Sequence, residues 1–389
     1  MGSYISSNNN RFYVAAEQNY GAAAAITGQN RFPAVRLSAK QQAEKVQRKD
    51  KTGSRTFVGL PAGIRKQTSY ELSTYMTGWS NQSQEPGYGP MFHAALGAPA
   101  KFFAGGNVAS ASGSIVHFSA AHGLSAGQGV TFEGEMRFVA AIGDAQTILL
   151  NTPFSNTLSA GAPLGATVTY SPATSLLSAT LFDYWDPSSA VHRVLPGAAV
   201  DKMQIKVNGD FHEFGFSGPS ADLLDSTSFS SGQAGLTQFP AEPAVASFDY
   251  SISPGHIGQV WLGNSPNRFY TLTSANIGLS NGLDVRNLEF GSDLPQAVVP
   301  GERDVTMDFS LYEQDDTATQ ALYQAARQRS PVSVMIQLGQ QSQQLFGVYL
   351  SSLVPEVPQY DDSETRLQWK FQGSRAQGSL NDELFVSFG

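Results

Sequence analysis

The chain has 389 residues, no cysteine, and 24 Lys and Arg against 32 Asp and Glu, a formal net charge of −8. That length exceeds one ordinary core and predicts two or three domains. The missing cysteine excludes disulfides, thiolate catalysis and Cys-based metal sites, and the acidic balance excludes general electrostatic attraction to nucleic acid.

Charged residues make up 14% of the chain, against roughly 25% in a typical soluble domain. A charge-poor surface suits extensive permanent contacts, because charge is costly to desolvate. It equally suits a surface-exposed β-protein. The start, Met1-Gly-Ser-Tyr-Ile-Ser-Ser-Asn-Asn-Asn10, lacks the basic start and apolar core of a signal peptide. No run approaches the about 18 apolar residues of a membrane span. The chain therefore reads as made in the cytoplasm and soluble.

Residues 1–34 alternate polar and small side chains and read as an extended N-terminal arm. Lys40, Lys45, Arg48, Lys49, Lys51 and Arg55 then form the main basic run. Residues 38–47 fit a short helix capped by Ser38. They also fit one arm of a long charged hairpin returning after Thr52-Gly53, or a solvated loop. Residues 65–76 alternate as a strand, 81–89 form a Pro/Gly loop, and 90–96 fit a short helix between Pro90 and Gly97.

Residues 105–172 look inserted. Strand runs at 114–118, 129–133, 136–140 and 147–150, split by Gly, Ser and Asn turns, predict a small β-barrel or sandwich. Strands at 178–185 and 192–195 pair across Asp186-Pro-Ser-Ser. A clean alternation over 200–207 meets Asn208-Gly209, a strong hairpin signal, and returns over 211–216. Residues 218–243 are Ser/Gly/Pro-rich and read as a linker.

The last third carries strands at 268–277, 283–290 and 305–311, with a turn at Asn281-Gly282. A helix follows from Thr317 to Arg329, with Asp315-Asp316 at its start, cationic Arg327 and Arg329 at its end, and Ala318, Ala321, Leu322 and Ala325 on its apolar face. Strands at 333–337, 345–350 and 365–371 complete the pattern.

Catalytic chemistry finds little support. Gly123-Leu-Ser-Ala-Gly127 and Gly278-Leu-Ser-Asn-Gly282 match the Gly-x-Ser-x-Gly elbow, yet both lead into strand-like sequence instead of the required helix. His93, His117, His122, His192, His212 and His256 are scattered and share no metal-binding spacing. Asp183 and Asp186 flank Trp185, as in a sugar site or at the end of a sandwich strand. Asp361, Asp362 and Glu364 lack the spacing of an EF-hand. The sequence predicts no catalytic, cofactor or metal site, and the protein is expected not to be an enzyme.

Residues 268–389 resemble the tail tube domain of long-tailed bacteriophages, through Asn281-Gly-Leu-Asp-Val-Arg286, Pro300-Gly-Glu-Arg-Asp-Val305 and the helix from Thr317. A weaker, interrupted resemblance covers Lys66-Gln-Thr-Ser-Tyr-Glu71, Gly89-Pro-Met-Phe-His-Ala-Ala-Leu-Gly97, Gly197-Ala-Ala-Val-Asp-Lys-Met-Gln-Ile205 and Gly218. The resemblance implies a mainly β protein. It would hold two tail-tube-type β-sandwich domains, each with a short flanking helix: 35–104 with 173–235, and 236–389. The 105–172 insert would be an outward-facing decoration.

The same resemblance implies a structural virion protein that self-assembles into stacked rings, a conduit for DNA ejection into the host. Its partners would be further copies of itself, as a homotrimer with pseudo-sixfold rings or a homohexamer. Tape measure, tail terminator and baseplate or tail-tip proteins would join them, with DNA passing unbound and no membrane. The basic run and the acidic pair Asp361-Asp362 are the candidate contacts between rings. The alternative is a carbohydrate-binding or adhesin-type β-protein using Trp185, Trp261 and the insert.

Overall fold

The computed structural model describes residues 4–44, 51–56, 59, 64–82, 84–244, 251–263, 268–269 and 271–389. Among these, sixteen strands and two α-helices carry the architecture, and the chain runs through the same order of roles twice. The first round is β1 (Asn10–Ala16), β2 (Ala34–Ala43), β3 (Lys66–Tyr75), α1 (Gly89–Leu96), β4 (Ala179–Trp185), β5 (Arg193–Ala198), β6 (Lys202–Val207), β7 (Glu213–Ser220) and β8 (Leu224–Asp225). The second is β9 (Gly258–Leu262), β10 (Leu272–Ser280), β11 (Asp304–Tyr312), α2 (Thr317–Gln328), β12 (Val332–Leu338), β13 (Phe346–Val354), β14 (Gln359–Asp361), β15 (Gln368–Ala376) and β16 (Phe385–Phe388).

In the first round β2-β3-β7-β6 lie side by side, and β8-β5-β4-β1 form another layer. In the second, β10-β11-β15-β14 and β16-β13-β12-β9 repeat that order strand for strand. Even an irregularity recurs: β2 bulges at Val35 against β3, and β10 bulges at Thr273 against β11.

Period-two alternation makes these strands. In β6, Met203 and Ile205 face the core while Lys202, Gln204 and Lys206 face solvent. In β11, Val305, Met307, Phe309 and Leu311 point inward between Asp304, Thr306, Asp308 and Ser310. The turn from β6 to β7 uses Asn208 at φ 65° ahead of Gly209, a conformation Asn and Gly tolerate. The two rounds then join edge to edge, β6 against β10, with Ile205 opposite Ile277 and both fully buried.

Helix α1 sits where the rounds meet. Pro90 opens it, Gly97 closes it at φ 95°, and Met91, Phe92, Ala94, Ala95 and Leu96 are all buried. The Phe92 ring lies 5.4–5.8 Å from Phe216 and Phe214 of β7 and from Phe388 of β16 and Phe346 of β13. Burying one such ring contributes about 1.5–3 kcal/mol, so this residue ties both rounds into one core. Helix α2 is capped by Asp316, whose carboxylate accepts the Thr319 N–H at 2.7 Å, and ends at Arg329 with φ 54°.

Residues 106–164 form a separate small barrel. Its strands, in spatial order, are Pro163–Leu164, Gly106–Ser112, Ile115–Phe118, Thr147–Leu150, Glu135–Ile142 and Gly129–Phe132, closed by a bridge from Thr131 to Gly165. Its interior includes Val108, Val116, Phe118, Val130, Val139 and Ile148. The stem strands, Lys101–Phe103 and Thr167–Tyr170, pair with each other, and the latter also pairs with β16. The expected insert is thus split, with Thr167–Tyr170 extending the second round's layer.

Several expectations need correction. Residues 1–34 are not an extended arm throughout, since Asn10–Ala16 is β1, paired along its full length with β4. Arg11-Phe-Tyr-Val-Ala15 offers apolar side chains to both faces, Phe12 and Val14 to the main core and Tyr13 to an outer cluster. The helix reading of 38–47 fails over residues 38–43, which belong to β2. The hairpin forms instead, returning at Lys66, because Leu37 and Ala39 turn inward while Arg36 and Lys40 face water. Of residues 283–290 only Asp284–Arg286 pairs, with Ala297–Val299, and Leu288 and Phe290 are exposed. On α2 the buried side chains are Thr319, Leu322 and Ala326; Ala318 and Ala321 are exposed. The linker read over 218–243 begins within β7 and contains β8.

Candidate functional site

The junction between the rounds shows how one copy of this architecture grips another. Asn281 follows β10 and is almost fully buried. Its side-chain amide donates to the carbonyls of Ala95 in α1 and Val200 before β6, both at 2.9 Å. Its own N–H donates to the Asp201 carbonyl at 2.8 Å, while the Asp201 carboxylate accepts the Leu283 N–H at 2.9 Å. Gly301 closes this knot because a Cβ there would stand 2.5 Å from the Gly282 carbonyl oxygen. Beside it Arg303 donates to Glu383 at 2.5 Å and to the Ala173 carbonyl.

Across the joined strands β2-β3-β7-β6-β10-β11-β15 one face feeds the core and the other carries Ser, Gln, Gly and charge. The charges include Arg36, Lys40, Glu71, Lys202, Lys206, Glu213, Asp304, Asp308, Lys370 and Arg375. Several are paired: Lys206 with Glu213 at 3.5 Å, Arg375 with Asp304 at 2.9 Å, and Lys370 with Asp361. A groove of about 680 Å³ on this face runs past Lys40, Glu71, Lys202 and Asp284. Basic and acidic side chains are interspersed on this polar sheet and three pairs of them are bridged, so no extended single-sign patch stands out on it.

β15 also meets β13 over two residues, Leu353 opposite Ala376 and Val354 opposite Arg375, so the sheet continues there into the other layer, while β2 and β14 leave open edges. Among the described residues β2 pairs only with β3, and β14 pairs only with β15. The two ends of its strands also differ. One end is marked by Ala43 of β2 and Lys66 of β3, whereas the turns holding Asp210, Asp362 and Glu364 lie at the opposite end.

The predicted contact residues fall on these features. Lys40 lies exposed on β2, and Lys51 and Arg55 are exposed within 44–65. Lys45, Arg48 and Lys49 lie outside the described residues. Asp361 lies on β14, where the hydrogen bond from Lys370 holds its carboxyl well below the usual range. Asp362 is exposed in the turn beyond. The sequence reading missed β14 as a strand edge. Three residues carry too little alternation to be seen, although the neighbouring acidic pair flagged the place.

The chemical candidates are otherwise engaged. Ser125 and Ser280 lie in a turn and at a strand end. His122 accepts the Leu124 N–H at 2.8 Å on Nδ1 and places Nε2 3.0 Å from the Asp144 carbonyl. Asp183 accepts from Arg193 at 3.0 Å, Asp186 pairs with Arg11 at 2.8 Å, and Trp185 between them is half-buried. Trp261 is buried. Among the described residues no group of three or more His, Asp or Glu could hold a metal ion.

No curated protein matches this sequence. A family model described as phage tail tube protein does, over residues 7–379. With that match covering nearly all of the doubled β architecture, the chain belongs to the phage tail tube protein family.

Proposed function

We propose that the protein builds the wall of a phage tail tube, each copy supplying two tube domains that correspond to the two rounds of strands. Three copies close into a ring of about 24 inner strands, since closing a sheet removes its edges. The polar face lines the channel and lets DNA pass without specific binding. Rings stack with Lys51 and Arg55 against the acidic turns at Asp362 and Asp210. The small barrel faces outward, where its bulk leaves the channel open. Tape measure, tail terminator and tail-tip or baseplate proteins set the length and close the ends, and no catalysis is involved.

The observation that supports this reading best is the open polar sheet with a free edge on each side, held on one continuous core. Of the surface named for the carbohydrate-binding alternative, Trp261 is buried and Trp185 half-buried, which favours the tube reading. Negative-stain electron microscopy at rising protein concentration, with native mass spectrometry, tests the proposal. Hollow rings of three copies, or tubes stacked from such rings, are expected. Monomers at every concentration, or rings of six chains, would overturn it.

A further inference from the structure

The junction inside the chain is a template for the junction between chains. The matching bulges at Val35 and Thr273 set the correspondence of β2 with β10. Four residues on, Ala39 corresponds to Ile277. On the other side, Phe214 faces Thr74 and Ile205, while Trp369 faces Leu311 and Tyr360. Thr74 and Leu311 each lie opposite the residue preceding a bulge, so Tyr360 corresponds to Ile205. Within the chain Ile205 and Ile277 are partners and fully buried. Their counterparts sit on the two open edges, with Tyr360 59% exposed and Ala39 half-buried.

We infer that β14 of one copy pairs antiparallel with β2 of the next, with Tyr360 opposite Ala39, Gln359 opposite Lys40 and Asp361 opposite Ser38. This rests on the ring assembly proposed above and deepens it by naming the edges and their register. Charge fits that register: Asp361 would have Arg36 and Lys40 as its diagonal neighbours, at roughly 7–8 Å. Asp361 and Lys40 therefore act within a ring, leaving Asp362 with Lys51 and Arg55 for contacts between rings.

The geometry of closure fits as well. A row of partners runs from Leu37 through Leu72, Phe216 and Met203 to Leu279. Leu279 corresponds to Gln41, so crossing four strands advances the register by four residues. A barrel whose shear equals its strand number tilts its strands by about 36°, as in the eight-stranded case. With about 24 strands spaced roughly 4.8 Å apart, the backbone ring would be about 45 Å across. That leaves room for a double helix.

Cysteine pairing tests the register cleanly, because the chain has no cysteine of its own. Ser38→Cys with Asp361→Cys in one chain, oxidised after assembly, should convert most chains to covalently closed rings on a non-reducing gel. Lys40→Cys with Gln359→Cys, the neighbouring pair in the same register, should do the same. Lys40→Cys with Asp361→Cys, shifted by two residues, should link at least tenfold less. Rings visible by microscopy without bonds at either in-register pair, or with bonding favouring the shifted pair, would overturn the seam while leaving ring assembly standing. Wild-type protein that never assembles would overturn both. If the in-register variants melt like wild type yet lose assembly, the contact still lies at these edges.

Discussion

The two outer layers, β8-β5-β4-β1 and β16-β13-β12-β9, face the same problem and solve it differently. Each carries an apolar outward face that must be covered. On the first, Tyr13, Phe182, Tyr184, Val194 and Leu224 lie under an irregular strap that brings Phe229, Leu236 and Phe239. Polar anchors hold that strap: Arg11 grips Glu242 at 2.5 and 2.6 Å, and Tyr13 donates to the same carboxylate at 3.0 Å. On the second, Trp261, Met335, Leu345 and Tyr349 lie under Met136 and Phe138 of the small barrel.

The second cover is held mainly by rings and sulfur. Arg137 is fully buried, its guanidinium 4.0 Å from the Trp261 ring centroid and 5.1 Å from that of Phe154. Burial pushes its pKa down to about 10 against the opposing pull of Glu135. Gln337 accepts the Met136 N–H at 2.7 Å and donates to the Gly134 carbonyl at 2.9 Å. Position 347 must be glycine for this fit, since a Cβ there would meet the Met136 sulfur at 2.4 Å and the Phe138 ring at 2.8 Å. The small barrel is therefore a fitted cover for this layer. One cover depends on polar anchoring, the other on shape.

That contrast can be attacked directly. The largest effect is expected from Trp261→Ala, which removes the ring under Arg137 and should cost about 3–5 kcal/mol in equilibrium unfolding. Hydrogen exchange should rise across 134–139. A docked barrel with unchanged exchange would break the comparison. Glu17→Ala should be next. This buried carboxylate accepts from the Ser178 and Thr180 hydroxyls and from the Gly197 and Gly21 amides, at 2.6–3.0 Å. Burial raises its pKa despite those bonds, and stranding the donors should cost about 2–3 kcal/mol, read by urea denaturation.

Tyr13→Phe is a finer probe. It removes only the hydroxyl bonded to Glu242 and should cost about 1 kcal/mol, with peptide exchange increasing in the strap and not in the barrel. The smallest effect is that of acid. The Ser228 and Thr227 hydroxyls hold the Asp225 carboxyl down to about 2, at the start of the strap. A carboxyl depressed by folding stabilises fully above its unfolded value near 3.8 and loses that contribution as pH falls toward 2. The near-ultraviolet dichroism of Tyr13 and Tyr184, which lie under the strap, should therefore weaken over that window, and less so in Asp225→Asn.

How much of this was legible depended on local alternation. The β6–β7 hairpin, β11 and α2 show their period or their caps in their own residues, and the sequence reading found them. Strand β1 hid because Phe12, Tyr13 and Val14 are buried in succession, so its two covered faces leave no polar beat. Helix α2 was rotated in the reading because alanine is nearly neutral and gave no sense of direction. The open edges of the sheet were the least visible. Asp361 drew attention as part of an acidic pair, but nothing near it in sequence says that its strand lacks an outer neighbour.

Asn281 carries a last consequence. Its counterpart on β2, eight residues past the bulge, is Ala43, which has no amide with which to clasp a helix carbonyl and a neighbouring strand. A ring made of such chains would resemble a cask in which alternate joints are pegged and the rest only butted. Under bending or internal pressure it would part first along the butted joints, giving a sixfold-looking wall threefold lines of weakness.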